Sequence, residues 1–173
     1  NLVWMRCSLG QVWDGNTCTG EAKEYTWQEA LDAAKELNKN DGFGGYSDWV
    51  VPHIEDLSSL RYCSTSFEDV IEIPAKVGST IKIDHFCKGA WNSFLGKPEK
   101  PIIDQRIFPN TEYSRYWSSS SYHGFNDYAW VVTFSHGFDN YHGLMKWPCY
   151  VRLVRSGQSP ANDTKNKQPV DPF

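Results

Sequence analysis

The sequence predicts an α+β domain with a small antiparallel sheet. Three observations point there: helical periodicity is confined to the first third of the chain, runs of β-branched and aromatic residues gather in the last third, and no internal repeat is present. Residues 2–6, LVWMR, read as a short opening strand that runs into the first cysteine loop. Thr26 followed by Glu29 is a capping box, and Trp27, Ala30, Leu31, Ala34 and Leu37 fall on one helical face before Asn38 and Gly42 end the pattern. Residues 42–46 form a glycine-rich turn, and residues 48–51 a brief strand stopped by Pro52.

Residues 53–60 read as a second helix, with Glu55 and Asp56 in the first turn and Ile54, Leu57 and Leu60 as its apolar stripe. From 61 to 109 there is little periodicity beyond the apolar residues 71–73 and the alternation at 81–83. Two strands follow, at 128–134 (YAWVVTF) and 150–155 (YVRLVR). Residues 1–155 read as one domain, and 156–173, with Pro160, Pro169 and Pro172 among polar residues, as a flexible or partner-docked tail.

Composition narrows the function. The net charge is −4 and no Lys/Arg run occurs, which argues against nucleic acid as partner. No apolar stretch reaches membrane-spanning length. Aromatics make up 15% of the chain, with eight Trp and nine Tyr, which fits many half-buried sheet faces or a ligand surface.

None of the five cysteines stands in a C-x-x-C pair, so a zinc site is a poor reading. Cys7 with Cys18 and Cys63 with Cys87 each bracket a turn-rich or irregular segment, and we read them as two disulfides, although spacing alone leaves other pairings open. Cys149 reads as a small buried hydrophobe leading into the last strand.

The candidate working surface lies in two segments that no helix or sheet period explains. Tyr122, His123, Phe125, Asn126 and Asp127 occupy the first, and His136, Phe138, Asp139, Asn140, Tyr141 and His142 the second, with Lys146 and Trp147 just beyond. Stiff aromatic rings beside small polar residues are the chemistry of a recognition surface, where rings supply contact area and polar groups supply adjustable hydrogen bonds. Tyr122, Phe125, Tyr141 and Trp147 read as aromatic anchors.

Several linked motifs carry a resemblance. They are Trp4 to Cys7 with Gly10-Gln11-x-Trp13-Asp14-Gly15-x-x-Cys18-x-Gly20, then Tyr25-x-Trp27-x-x-Ala30, then Gly45-Tyr46-Ser47-Asp48-Trp49-x-x-Pro52-x-Ile54-x-x-Leu57. Further on stand Phe108-Pro109-Asn110-Thr111, Tyr116-Trp117-Ser118-Ser119-Ser120, Tyr128-Ala129-Trp130 and residues 150–155. Together they resemble the bacterial Lcl C-terminal domain family, known also as domain of unknown function 1566 and named after the C-terminal domain of a collagen-like adhesin.

The resemblance implies a C-type-lectin-like fold on an exported or surface-displayed adhesion module. As partners it implies a host or bacterial surface glycan or protein, and as assembly a homotrimer or attachment to a larger surface protein. One relative binds sulfated glycans, but Lys146 is the one lysine of the candidate loops here, whereas a sulfated ligand calls for several cations. Residues 122–127 and 136–144 are also all reachable from Asn-type codons by changes at the first two bases, as in proteins diversified by retroelements.

Other chemistries fare less well. Ser118 to Ser121 lack a G-x-S-x-G elbow and read as satisfying backbone groups in a bend. His123, His136 and His142 have no ligand-pair spacing. No cofactor is expected; calcium through Asp127 and Asp139, with Asn126 and Asn140, is the one metal reading with suitable oxygen donors. Arg152 and Arg155, alternating with Val151 and Val154, read as the polar face of the last strand. The competing function classes are an oxidase of the formylglycine-generating kind, which needs a reactive cysteine pair, and a structural pilus or fibre tip.

Overall fold

The computed structural model describes residues 1–76, 79–87, 97–135 and 141–157. The chain forms β1 (Leu2–Trp4), β2 (Val12–Trp13), β3 (Cys18–Thr19), α1 (Trp27–Lys39), α2 (Ile54–Ser58), β4 (Phe67–Lys76), β5 (Ser79–Cys87), β6 (Arg115–Ser121), β7 (Tyr128–Thr133), β8 (Tyr141–Leu144) and β9 (Val154–Ser156). These elements make an α+β fold of two helices and small antiparallel sheets, β1 with β9, β2 with β3, β4 with β5, and β6, β7 and β8 in that order.

Helix α1 begins where its capping box places it. The Thr26 hydroxyl accepts from the Glu29 N–H, and the Glu29 carboxylate accepts from the Thr26 N–H. Its C-cap is Asn40, and Asn38 grips the Trp49 backbone at both N–H and carbonyl, which fixes the following loop. Helix α2 is shorter than its periodicity implies. His53 caps it without a side-chain bond, and the Ile54 N–H, which has no partner within the helix, donates instead to Ser120 Oγ at 3.1 Å.

The β6–β7–β8 sheet divides the core. Trp117, Ala129 and Val131 enter one buried cluster with Ala30, Ala34, Trp49 and Leu153, while Tyr116, Trp130 and Val132 enter another with Ile54, Leu57, Phe108 and Phe134. Successive residues of a strand point to opposite faces, so a strand covered on both sides reads as an unbroken apolar run. Trp49, Leu57, Trp130, Val132 and Val151 are buried, whereas Trp27 and Leu31, on the apolar face of α1, are half-buried and pack against the first cluster.

Both disulfides are formed, Cys7 with Cys18 and Cys63 with Cys87, and Cys149 is free and buried. The first closes the β2–β3 hairpin, whose two-residue strands escape any sequence period. The second joins the base of β4 to the end of β5. That pair contradicts the irregular reading of this region, since Ile71 faces Ile83 and Ile73 faces Ile81 across a ladder that also pairs Glu72 with Lys82. A central proline, Pro74, and the interleaved charges hide the alternation in sequence.

The C-terminal strand needs a larger correction. Only Val154–Ser156 is strand; Cys149 and Tyr150 make single bridges to Tyr25 and Tyr116. Ser156 pairs with Leu2, and the Gly157 N–H donates to the Asn1 carbonyl, while residues 158–173 lie outside the described residues. Residues 2–6 likewise shorten to β1, and residues 48–51 reduce to one bridge between Val50 and Val154.

Arg152 and Arg155 are not a polar face, for both are buried. Arg152 donates to the carbonyls of Met5 and Arg6 and to Thr111 Oγ1, with its guanidinium over the Phe108 and Tyr116 rings. Arg155 donates to Asp48 Oδ1 at 2.7 Å and lies 3.7 Å from the Tyr46 ring centre. A guanidinium whose donors reach fixed oxygens and whose charge lies over aromatic rings can be buried where a strand pattern predicts exposure, even though Nε of Arg152 is left without a partner.

Candidate functional site

The loop at 122–127 is held by what precedes it. In β6 the register shifts between Trp117, opposite Val131, and Ser121, opposite Ala129, so extra residues bulge from the ladder. The serine run fills that bulge. Ser118 Oγ donates to the Trp130 carbonyl at 2.8 Å, the Ser119 N–H to the Pro52 carbonyl at 2.7 Å, and Ser120 Oγ receives Ile54 of α2. Their hydroxyls satisfy backbone groups, in keeping with the bend reading.

Beyond the bulge the chain turns sharply. The Tyr122 N–H donates to the Tyr128 carbonyl at 2.9 Å, the Tyr128 N–H to the Phe125 carbonyl at 3.2 Å, and the Met145 N–H to the Asp127 carbonyl at 2.8 Å. Gly124 adopts φ 96°, a left-handed conformation that disfavours any side chain. His123, Phe125, Asn126 and Asp127 are exposed, and Tyr122 is half-buried.

A row of rings links this loop to the core. Trp130 is buried; Tyr122 meets it edge-on with centroids 5.0 Å apart. Phe125 then stacks on Tyr122 at 6.0 Å and 25°, and Tyr128 meets Phe125 at 5.9 Å and 74°. Phe125 ends the row with 61% of its surface exposed. Tyr128 and Trp130 are legible in sequence only as strand residues. Their alternation, placing both on one face beside Tyr122, is the signal that ties them to the loop.

Of the two sequence-predicted segments, the described residues cover the first and the flanks of the second. The 122–127 loop joins β7 at the end where Tyr128 pairs with Leu144, and the other end of the strand, at Thr133, pairs with Arg115 of β6. The six residues of β7 separate those ends by roughly 17 Å. His136, Phe138, Asp139 and Asn140 lie outside the described residues, and of Tyr141 and His142 only the backbone pairing is described.

Lys146 is exposed on the turn after β8, on the Tyr128 side. Trp147 is drawn away: Arg115, the first residue of β6, lies over its ring at 5.3 Å. Among the described residues, no group of three or more His, Cys, Asp or Glu side chains is placed to hold a metal ion. Burial pushes the Cys149 thiol up to about 12, the reverse of what a reactive cysteine needs.

The profile of the Lcl C-terminal domain family matches residues 1–155, and the chain belongs to that family. No curated protein matches the chain. No solved structure matches it either. Disulfides persist in oxidising compartments, so the two bridges indicate an oxidising, extracytoplasmic setting. Among the described residues no helix is long and apolar enough to cross a membrane.

Proposed function

We propose that this chain is an exported, non-catalytic adhesion module with a C-type-lectin-like fold, which recognises a surface glycan or protein through the loop at 122–127 and the neighbouring turn that carries Lys146. The observation that carries this reading is Phe125, a large apolar ring 61% exposed at the end of an aromatic row rooted in buried Trp130. A rigid ring held in water gains little for folding, and rigid aromatic anchors dominate the energy of recognition sites. His123, Asn126 and Asp127 stand beside it as exposed polar groups suited to directional hydrogen bonds.

Binding is favoured over oxidase chemistry by the cysteines. Four are joined in two disulfides, and the fifth is buried with its thiol stabilised in the protonated form. The reading is tested by a glycan array and a surface-protein panel probed with the wild-type chain and with a variant whose residues 123–127 are replaced by a Gly/Ser loop of equal length, each with calcium and with chelator. Hits that vanish in the loop variant support the site. Hits unchanged by the replacement place the ligand elsewhere on the domain.

A further inference from the structure

Building on the loop as ligand site, we infer that the ligand is a folded protein that receives the Phe125 ring in an apolar pocket, rather than a saccharide laid against it. Shape is the first ground. Residues 123–127 are exposed throughout, and a Cβ built on Gly124 would find no heavy atom within 4 Å. The tip therefore stands out from the surface. A protruding ring gains most where its ligand surrounds it, and anchors of this kind carry their energy by filling a desolvated pocket.

Ring packing is the second ground. A sugar stacks on a bare aromatic face, but Tyr122 lies stacked against one face of Phe125, and Tyr128 makes a T-shaped contact with the same ring. One face is thus taken by Tyr122, and a cavity that closes on the remaining face and rim together gains more from the ring than a flat pyranose laid on one face does. Charge is the third. Exposed Asp127 and Lys146 offset one another on adjacent turns, joined through the Met145 N–H and the Asp127 carbonyl, so the tip matches an apolar pocket with a near-neutral rim.

Two probes made of the same sugar separate the alternatives. β-Cyclodextrin offers an apolar cup that encloses a phenyl ring, while maltoheptaose is its linear counterpart with the same number of glucose units. The full chain, labelled with ¹³C at the phenylalanine rings, is titrated with each by NMR, and Phe125→Ala identifies the Phe125 signal. The expected result is a saturable shift of that signal with β-cyclodextrin, a response to maltoheptaose weaker by about tenfold or more, and loss of both in Phe125→Ala.

If maltoheptaose shifts Phe125 as strongly as the cup does, the ring is a saccharide platform; the inference falls while the loop remains a ligand site. If neither probe shifts Phe125, the ring is not available for insertion and the inference also falls. The loop replacement described above then decides separately whether the loop binds anything.

Discussion

Arg152 is stacked on Phe108, its guanidinium carbon 4.8 Å from the ring centre in a fully buried site. From there it donates to Met5, Arg6 and Thr111, tying β1, the 108–111 turn and the C-terminal segment into one unit. Desolvation lowers its pKa to about 10, yet it stays protonated at neutral pH. Arg152→Met removes the charge and leaves those carbonyls unpaired, a loss of about 3 kcal/mol, while Arg152→Lys keeps a charge but lacks the planar fork. Both variants are expected to melt roughly 6–12 °C below wild type, as followed by circular dichroism. A Lys variant as stable as wild type would show that the fork geometry is unimportant.

Arg155 depends on Asp48 in a different way. The arginine is buried, but its partner is about half exposed, its side chain retaining 49% of its accessible surface. Solvent screens the pair accordingly, so Asp48→Ala is expected to cost about 1–2 kcal/mol, less than the loss of Arg152. Denaturant titration of the two variants side by side gives the order. The reverse order would mean that the Arg155–Asp48 hydrogen bond is not screened by solvent as the exposure of Asp48 implies.

Cys149 makes stability fall at alkaline pH. Its thiol titrates near 12 when folded, above the ordinary value of 9, because burial disfavours the thiolate. The unfolded chain thus loses this proton first, and the contribution, complete below pH 9, is lost progressively as pH rises towards 12. Cys149→Ala is expected to show a shallower decline in melting temperature above pH 9 than wild type. In the native protein the thiol should resist Ellman's reagent at pH 8 and react fully once unfolded. Rapid labelling of the native chain would contradict its burial.

The two disulfides differ in what they secure. Cys7–Cys18 closes a hairpin whose Cys18 carbonyl also receives Asn110, so its loss reaches the 108–111 turn beneath Arg152. Cys63–Cys87 closes the base of the β4–β5 hairpin. Replacing either pair by serine is expected to cost about 2–4 kcal/mol. Hydrogen exchange should then quicken around Asn110 and Thr111 in the first variant and at the ends of β4 and β5 in the second. Identical exchange patterns in the two variants would show that neither bridge acts locally.

Much of this architecture can be read from the chain because its signals are local. Thr26 and Glu29 set the start of α1, and the cysteine-bracketed turns favour the pairing found. What escapes depends on distant partners. Arg152 sits in a sequence that alternates like a half-exposed strand, and partners far away in sequence, the carbonyls of Met5 and Arg6 and the Thr111 hydroxyl, make its burial tolerable. The contact of Arg115, at the start of β6, with the Trp147 ring is likewise a pairing that sequence distance hides.

The central claim is that Phe125 is held out for a partner and not for the fold. Because it is 61% exposed, Phe125→Ala should change unfolding free energy by no more than about 0.5 kcal/mol. The decisive measurement is the affinity of Phe125→Ala, beside its melting temperature, for the tightest hit obtained from the glycan and protein panels. The expected result is unchanged melting with binding weaker by about 1–3 kcal/mol, or roughly 5- to 150-fold. Full affinity in Phe125→Ala, or loss of the fold along with binding, would contradict it.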